Sequence, residues 1–135
     1  VIYYREGYKY QLAKDFTIQT PITPSKSVKH QFFTLTPSGK LTVKSGYAWD
    51  GASGPTIDTK DSMSPSLVHD VFCQMMRSEM LSFNDWQDKV NEFFREHLKQ
   101  CGMGSFRAWY WYQAVEFADC GRPDGKEDNP VLEAP

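Results

Sequence analysis

The 135-residue sequence contains no apolar run approaching the ~18 residues that a membrane-spanning helix requires, and no charged n-region followed by an apolar h-region marks a signal peptide. It has no excess of charge of either sign: 15 Lys and Arg against 17 Asp and Glu leave a net charge of −2. That balance argues against a globally basic nucleic-acid binder and against a highly charged disordered chain. Cysteine is scarce. Cys73, Cys101 and Cys120 are odd in number and have no C-x-x-C spacing, which argues against a disulfide framework and a zinc ribbon and suits a reducing cytoplasm. The phosphate-cradling G-x-G-x-x-G and P-loop patterns are missing, as is the G-x-S-x-G nucleophile elbow.

Aromatic residues, by contrast, are plentiful at 15% of the chain. Each ring buries ~150–250 Å² when packed, so a chain this short can build a real core. The first third reads as strands. Tyr8 to Leu12 is rich in β-formers, Phe16 to Thr20 alternates apolar and polar, and Gln31–Leu35 and Lys40–Lys44 flank a Pro37-Ser38-Gly39 turn with Leu41 and Val43 on one face. No helix separates these runs, so antiparallel pairing is expected.

Three helical patterns follow. Ser64-Pro65 offers a start for the first, in which Leu67, Val68, Val71, Phe72, Met75 and Met76 recur at one-turn spacing. Ser82-Phe83-Asn84-Asp85 resembles a capping box and opens the second, with Val90, Phe93, Phe94, His97 and Cys101 before Gly102. Ser105 can cap a third that carries Phe106, Trp109, Tyr110, Gln113 and Phe117. The expected fold is α+β: one domain over residues 1–120, an N-terminal antiparallel sheet packed against three C-terminal helices, with a loose polar tail at 121–135. Val71, Phe72, Met75, Val90, Phe93, Phe94, Trp109 and Phe117 are the expected helical core.

Between strands and helices, Asp50-Gly51-Ala52-Ser53-Gly54-Pro55 precedes His69-Asp70 on the first helix. Glycine lets such a loop approach other groups closely, and a helix start favours anions. The loop and helix can therefore converge, with Asp50, His69 and Asp70 as candidate catalytic groups, Gly51 and Ser53 as binding groups, and Asp88 or Asn91 joining from the second helix. The same residues also suit a hydrogen-bonded structural network. Adjacent His69 and Asp70 diverge by ~100° around a helix, so both reach one divalent metal only at the helix rim. His30 lies beside a strand and is a further candidate ligand. His69 and Cys73, and likewise His97 and Cys101, are spaced i, i+4, so antiparallel helices would gather them into an N₂S₂ set suited to zinc.

The run Val43-Lys44-Ser45-Gly46-Tyr47-Ala48-Trp49-Asp50-Gly51-Ala52-Ser53-Gly54-Pro55 resembles the signature of a small phage and prophage family of domains of unknown function. Ser66 to Asp70, Val90 to Phe94 and Trp109 to Phe117 resemble that family's later blocks, although Asn91 stands where the family usually carries an acid. The resemblance implies a phage-derived α+β protein. The H-D pair is also similar to that of metal-dependent phosphohydrolases, in which bound metal activates water. Three function classes follow: a metal-dependent phosphodiester or nucleotide hydrolase; a non-catalytic counter-defence binder of a nucleotide signal or host protein; and a virion or assembly component. The expected location is the host cytoplasm or the virion. The expected partners are a phosphate-containing ligand or a host protein, with no membrane and no duplex nucleic acid. The rings of Trp109 to Tyr112 reach every face of their helix, so those not in the core are free to stack on a ligand.

Overall fold

The computed structural model describes residues 10–49 and 60–123. These fall into two compact units that divide near residue 50.

The first unit is antiparallel β-structure. Its strands are β1 (Tyr10–Gln11), β2 (Phe16–Gln19), β3 (Val28–Lys29), β4 (Phe33–Leu35), β5 (Lys40–Val43) and β6 (Ala48–Trp49). One sheet has the order β2-β5-β4-β3, and β1 pairs separately with β6. Leu41 and Val43 are fully buried on one face of β5, opposite Leu35 and Phe33, while Thr42 and Thr17 meet on the other face with hydroxyls 3.3 Å apart. Each such buried side chain contributes roughly 1.5–3 kcal/mol. The β4–β5 turn depends on Gly39, at φ +94°, whose carbonyl accepts from both the Thr20 N–H and the Thr20 hydroxyl. A Cβ at this position would run into the Thr20 carbonyl oxygen.

The second unit is helical. A single 3-10 turn (Lys60–Ser62) leads into α1 (Met63–Arg77), followed by α2 (Phe83–Gln100) and α3 (Ser105–Ala118). The first helix therefore begins ahead of the expected Ser64-Pro65 cap, with Pro65 inside its first turn, where a missing N–H costs little. Ser82 caps α2 as its sequence predicts, accepting from the Asp85 N–H at 3.2 Å. The second helix packs against both its neighbours. Val71, Phe72, Met75, Val90 and Phe94 are buried as expected, and Phe93 is half-buried. Phe94 and Leu98 of α2 join Met103, Ala108 and Trp111 in a core cluster, with Val115 packed beside it.

Two expectations are overturned here. Trp109 is 42% exposed and Phe117 is 92% exposed, because α3 turns Ala108, Trp111 and Val115 inward and these two lie on the opposite side. Cys73 and Cys120 form a disulfide. An odd count excludes only complete pairing, and here Cys101 is the thiol left over. The inference from cysteine usage to a reducing compartment loses its footing, since such bonds persist mainly in oxidising surroundings.

The bonded segment is well anchored. Arg77 donates to the Cys120 carbonyl at 2.8 Å, and the Asp119 carboxylate accepts from Gln87 and Arg122 at 2.8 and 2.6 Å. Gly121 is buried against Met76, and a Cβ there would approach the Met76 Cε to 2.7 Å. Of the polar tail, residues 124–135 lie outside the described residues.

Candidate functional site

Two features of the helical unit bear on function: a buried polar chain at its centre and an exposed aromatic face along α3.

The buried chain starts at His69, which is 5% exposed. Asn91 Nδ2 donates to the Glu116 carboxylate at 2.8 Å, which turns Asn91 Oδ1 towards His69 Nε2, 2.7 Å away. Nε2 therefore carries the proton and donates it, and the lone pair sits on Nδ1. That nitrogen lies 3.6 Å from Cys73 Sγ. A disulfide sulfur has no proton to give, so Nδ1 accepts no hydrogen bond from it. The ring also rests on Phe94, with centroids 4.9 Å apart. Burial lowers the His69 pKa to about 4, against which the Asn91 hydrogen bond acts only partly, so the imidazole is neutral near pH 7.

Asn91 meets His69, as the packing of successive helices suggests, whereas Asp88 is exposed on α2. Asp70 is half-buried, with interactions of its own. Asp50, Gly51 and Ser53 lie outside the described residues. His30 is occupied within the β unit, stacked on Phe33 at 4.3 Å and accepting from the Phe32 N–H through Nδ1.

The N₂S₂ set of His69, Cys73, His97 and Cys101 is not assembled. The Cys73 sulfur is bonded to Cys120, and the partner of His97 Nε2 is the Ser64 hydroxyl at 3.2 Å, which also lies 3.7 Å from Cys101 Sγ. Burial lowers the His97 pKa to about 4 as well, and its Nδ1 has no hydrogen-bond partner among the described residues. His69, Cys73 and Cys120 do converge, with one ligand atom from each within 4.8 Å of the others. Neither Cys120 nor Glu116 is marked by a motif in the sequence. Pairing of Cys120 requires a return of the chain after α3 that helical periodicity does not encode.

The aromatic face consists of Phe106 (78% exposed), Trp109, Tyr110 (44%) and Phe117. Their positions, with Gln113 between, span an arc of about 100° on the side of α3 away from Ala108, Trp111 and Val115. Phe106 and Trp109 stack on each other, 6.0 Å between centroids. The α3 ring in the core is therefore Trp111, whereas Trp109 and Phe117, expected there, are exposed.

Antiparallel strands followed by three helices make this an α+β protein. The chain belongs to DUF1353, a family described as "protein of unknown function", whose profile matches residues 26–115, from before β3 to near the end of α3. No curated protein and no solved structure matches the chain. None of the described helices is long and apolar enough to cross a membrane.

Proposed function

We propose that this protein is a non-catalytic binding protein that inserts the exposed aromatic face of α3 into an apolar groove of a partner protein. The observation that carries this reading is the exposure of four large rings on one side of one helix. Exposed apolar residues scattered singly are ordinary, but a contiguous patch of this kind marks an interaction surface. From Phe106 the rings fall at i, i+3, i+4 and i+11, with Gln113 at i+7, so they share one helix face as in helix-in-groove recognition, and the stripe is about 16 Å long. That length exceeds one nucleobase, which favours a protein over a nucleotide signal. Tyr and Trp are also the residues that most often dominate interface energies. With the phage or prophage origin that the resemblance implies, the partner is a host protein and the role is counter-defence.

The metal-dependent phosphodiester or nucleotide hydrolase built on Asp50, His69 and Asp70 draws no comparable support. His69 is buried, bonded through Nε2 and turned towards a sulfur through Nδ1. The two readings part on a pair of variants. Phe106→Ser combined with Phe117→Ser removes co-migration with the partner on size exclusion, with folding stability kept within ~0.5 kcal/mol, as for other exposed substitutions. Divalent-metal-dependent cleavage of a phosphodiester substrate, undiminished in that variant and lost in Asp70→Asn, would instead favour the hydrolase.

A further inference from the structure

We propose that His69, Cys73 and Cys120 form a redox-gated zinc site, in which the chain exchanges its disulfide cross-link for a metal cross-link on reduction. This rests on different residues from the α3 interface and stands or falls separately.

One of the three ligand–ligand distances already fits a tetrahedral site. With Zn–S ~2.3 Å and Zn–N ~2.0 Å, ligand atoms around zinc lie roughly 3.5–3.8 Å apart. His69 Nδ1 and Cys73 Sγ are already 3.6 Å apart, and Cys120 Sγ lies within the same 4.8 Å cluster. The two sulfurs, now bonded to each other, must separate. The imidazole is prepared for this role: Nε2 donates to Asn91 Oδ1, Asn91 is held by Glu116, and Nδ1, which carries the lone pair, faces Cys73 Sγ, a sulfur with no proton to give. A metal-ligating histidine typically donates its other nitrogen's proton in this way, which fixes the ring's tautomer and orientation.

Reduction has an entry point. Cys73 is buried, but Cys120 is half-buried. A thiolate from a dithiol reductant attacks Cys120 Sγ, breaks the Cys73–Cys120 bond and expels the Cys73 sulfur, which takes up a proton. The reductant's second thiol then resolves the mixed disulfide, so that it leaves as its own disulfide and Cys120 becomes a thiol. Two electrons and two protons have passed to the protein. Zinc binding releases both thiol protons and forms two Zn–S bonds and one Zn–N bond, leaving a fourth position for water.

The test uses the full chain carrying Cys101→Ser, which removes the exposed unpaired thiol. Cobalt(II), a spectroscopic substitute for zinc, is titrated anaerobically into oxidised and phosphine-reduced protein. The expected result is one cobalt per chain with a thiolate-to-cobalt charge-transfer band in the reduced form, and no such band in the oxidised form. His69→Gln should weaken reduced-state binding by at least about tenfold, and Cys120→Ser should remove the two-thiolate band. Native mass spectrometry of the unmutated chain with zinc, in each redox state, keeps the test decisive if a variant fails to fold. Equal metal binding in both redox states, or a reduced chain that binds no more metal than Cys120→Ser, overturns the proposal.

Discussion

Asn91 of α2 fixes the tautomer of His69 on α1: its Oδ1 accepts a hydrogen bond from the Nε2–H, with N and O 2.7 Å apart, because its Nδ2 is committed to Glu116 of α3. Three helices are thus tied through one buried polar chain. Removing the middle link strands a buried donor, at a cost of ~1–3 kcal/mol. Asn91→Ala should lower the urea midpoint accordingly, and Glu116→Gln, which keeps an acceptor oxygen, should cost less. Equal stability of Asn91→Ala and the parent would show that the chain contributes nothing.

The neutral state of His69 makes stability pH-dependent. Its folded pKa, about 4, lies below the unfolded value of 6.5, so the unfolded chain binds the proton more readily. Stability is full above about pH 6.5, falls as the pH drops towards 4, and then levels off. The loss from His69 is on the order of 3 kcal/mol. His97 acts in the same direction. Urea unfolding at pH 7.5 and 4.5 measures the difference, and a pH-independent midpoint would contradict it.

The disulfide closes a separation of 47 residues, worth about 4 kcal/mol in the chain-entropy account. Cys120→Ser should lower the thermal midpoint under oxidising conditions and change it little once both proteins are reduced without metal. Gel shift on thiol alkylation provides a direct check: the native chain should expose one reactive cysteine, Cys101, before reduction.

Gly39→Ala should destabilise by ~1–3 kcal/mol or more, since it places a side chain at φ +94° and against the Thr20 carbonyl. Ser38→Ala, one residue earlier in the same turn, should cost far less. Chemical denaturation of the two variants separates backbone conformation from turn composition.

Local pattern made much of this molecule legible in the sequence. Alternation identified the β4–β5 hairpin and its buried Leu41 and Val43, and one-turn periodicity with Ser82 as a cap identified α2. The core of α1 followed from the same spacing. The disulfide and the polarity of α3 did not. Pairing of Cys73 with Cys120 depends on where the chain returns after a helix, a long-range fact without periodic signature. With large apolar residues on every side of α3, the pattern cannot say which rings face α2; only packing distinguishes Trp111 from Trp109 and Phe117. Helix succession brings Asp88 or Asn91 to His69, whereas the choice of Asn91 and its anchoring by Glu116 required coordinates.

The central claim is that the outer side of α3 is a contact surface, and position-specific photo-crosslinking tests it most directly. Benzoylphenylalanine replaces Phe106 or Phe117 in the full chain and, as controls, the exposed Asp88 and Lys89 of α2. The account predicts one discrete, saturable protein adduct from positions 106 and 117, none from the controls, and its loss when Trp109→Ala is added. Equal adducts from both helices, or none from α3 in extracts where the chain migrates in a larger complex, would contradict it.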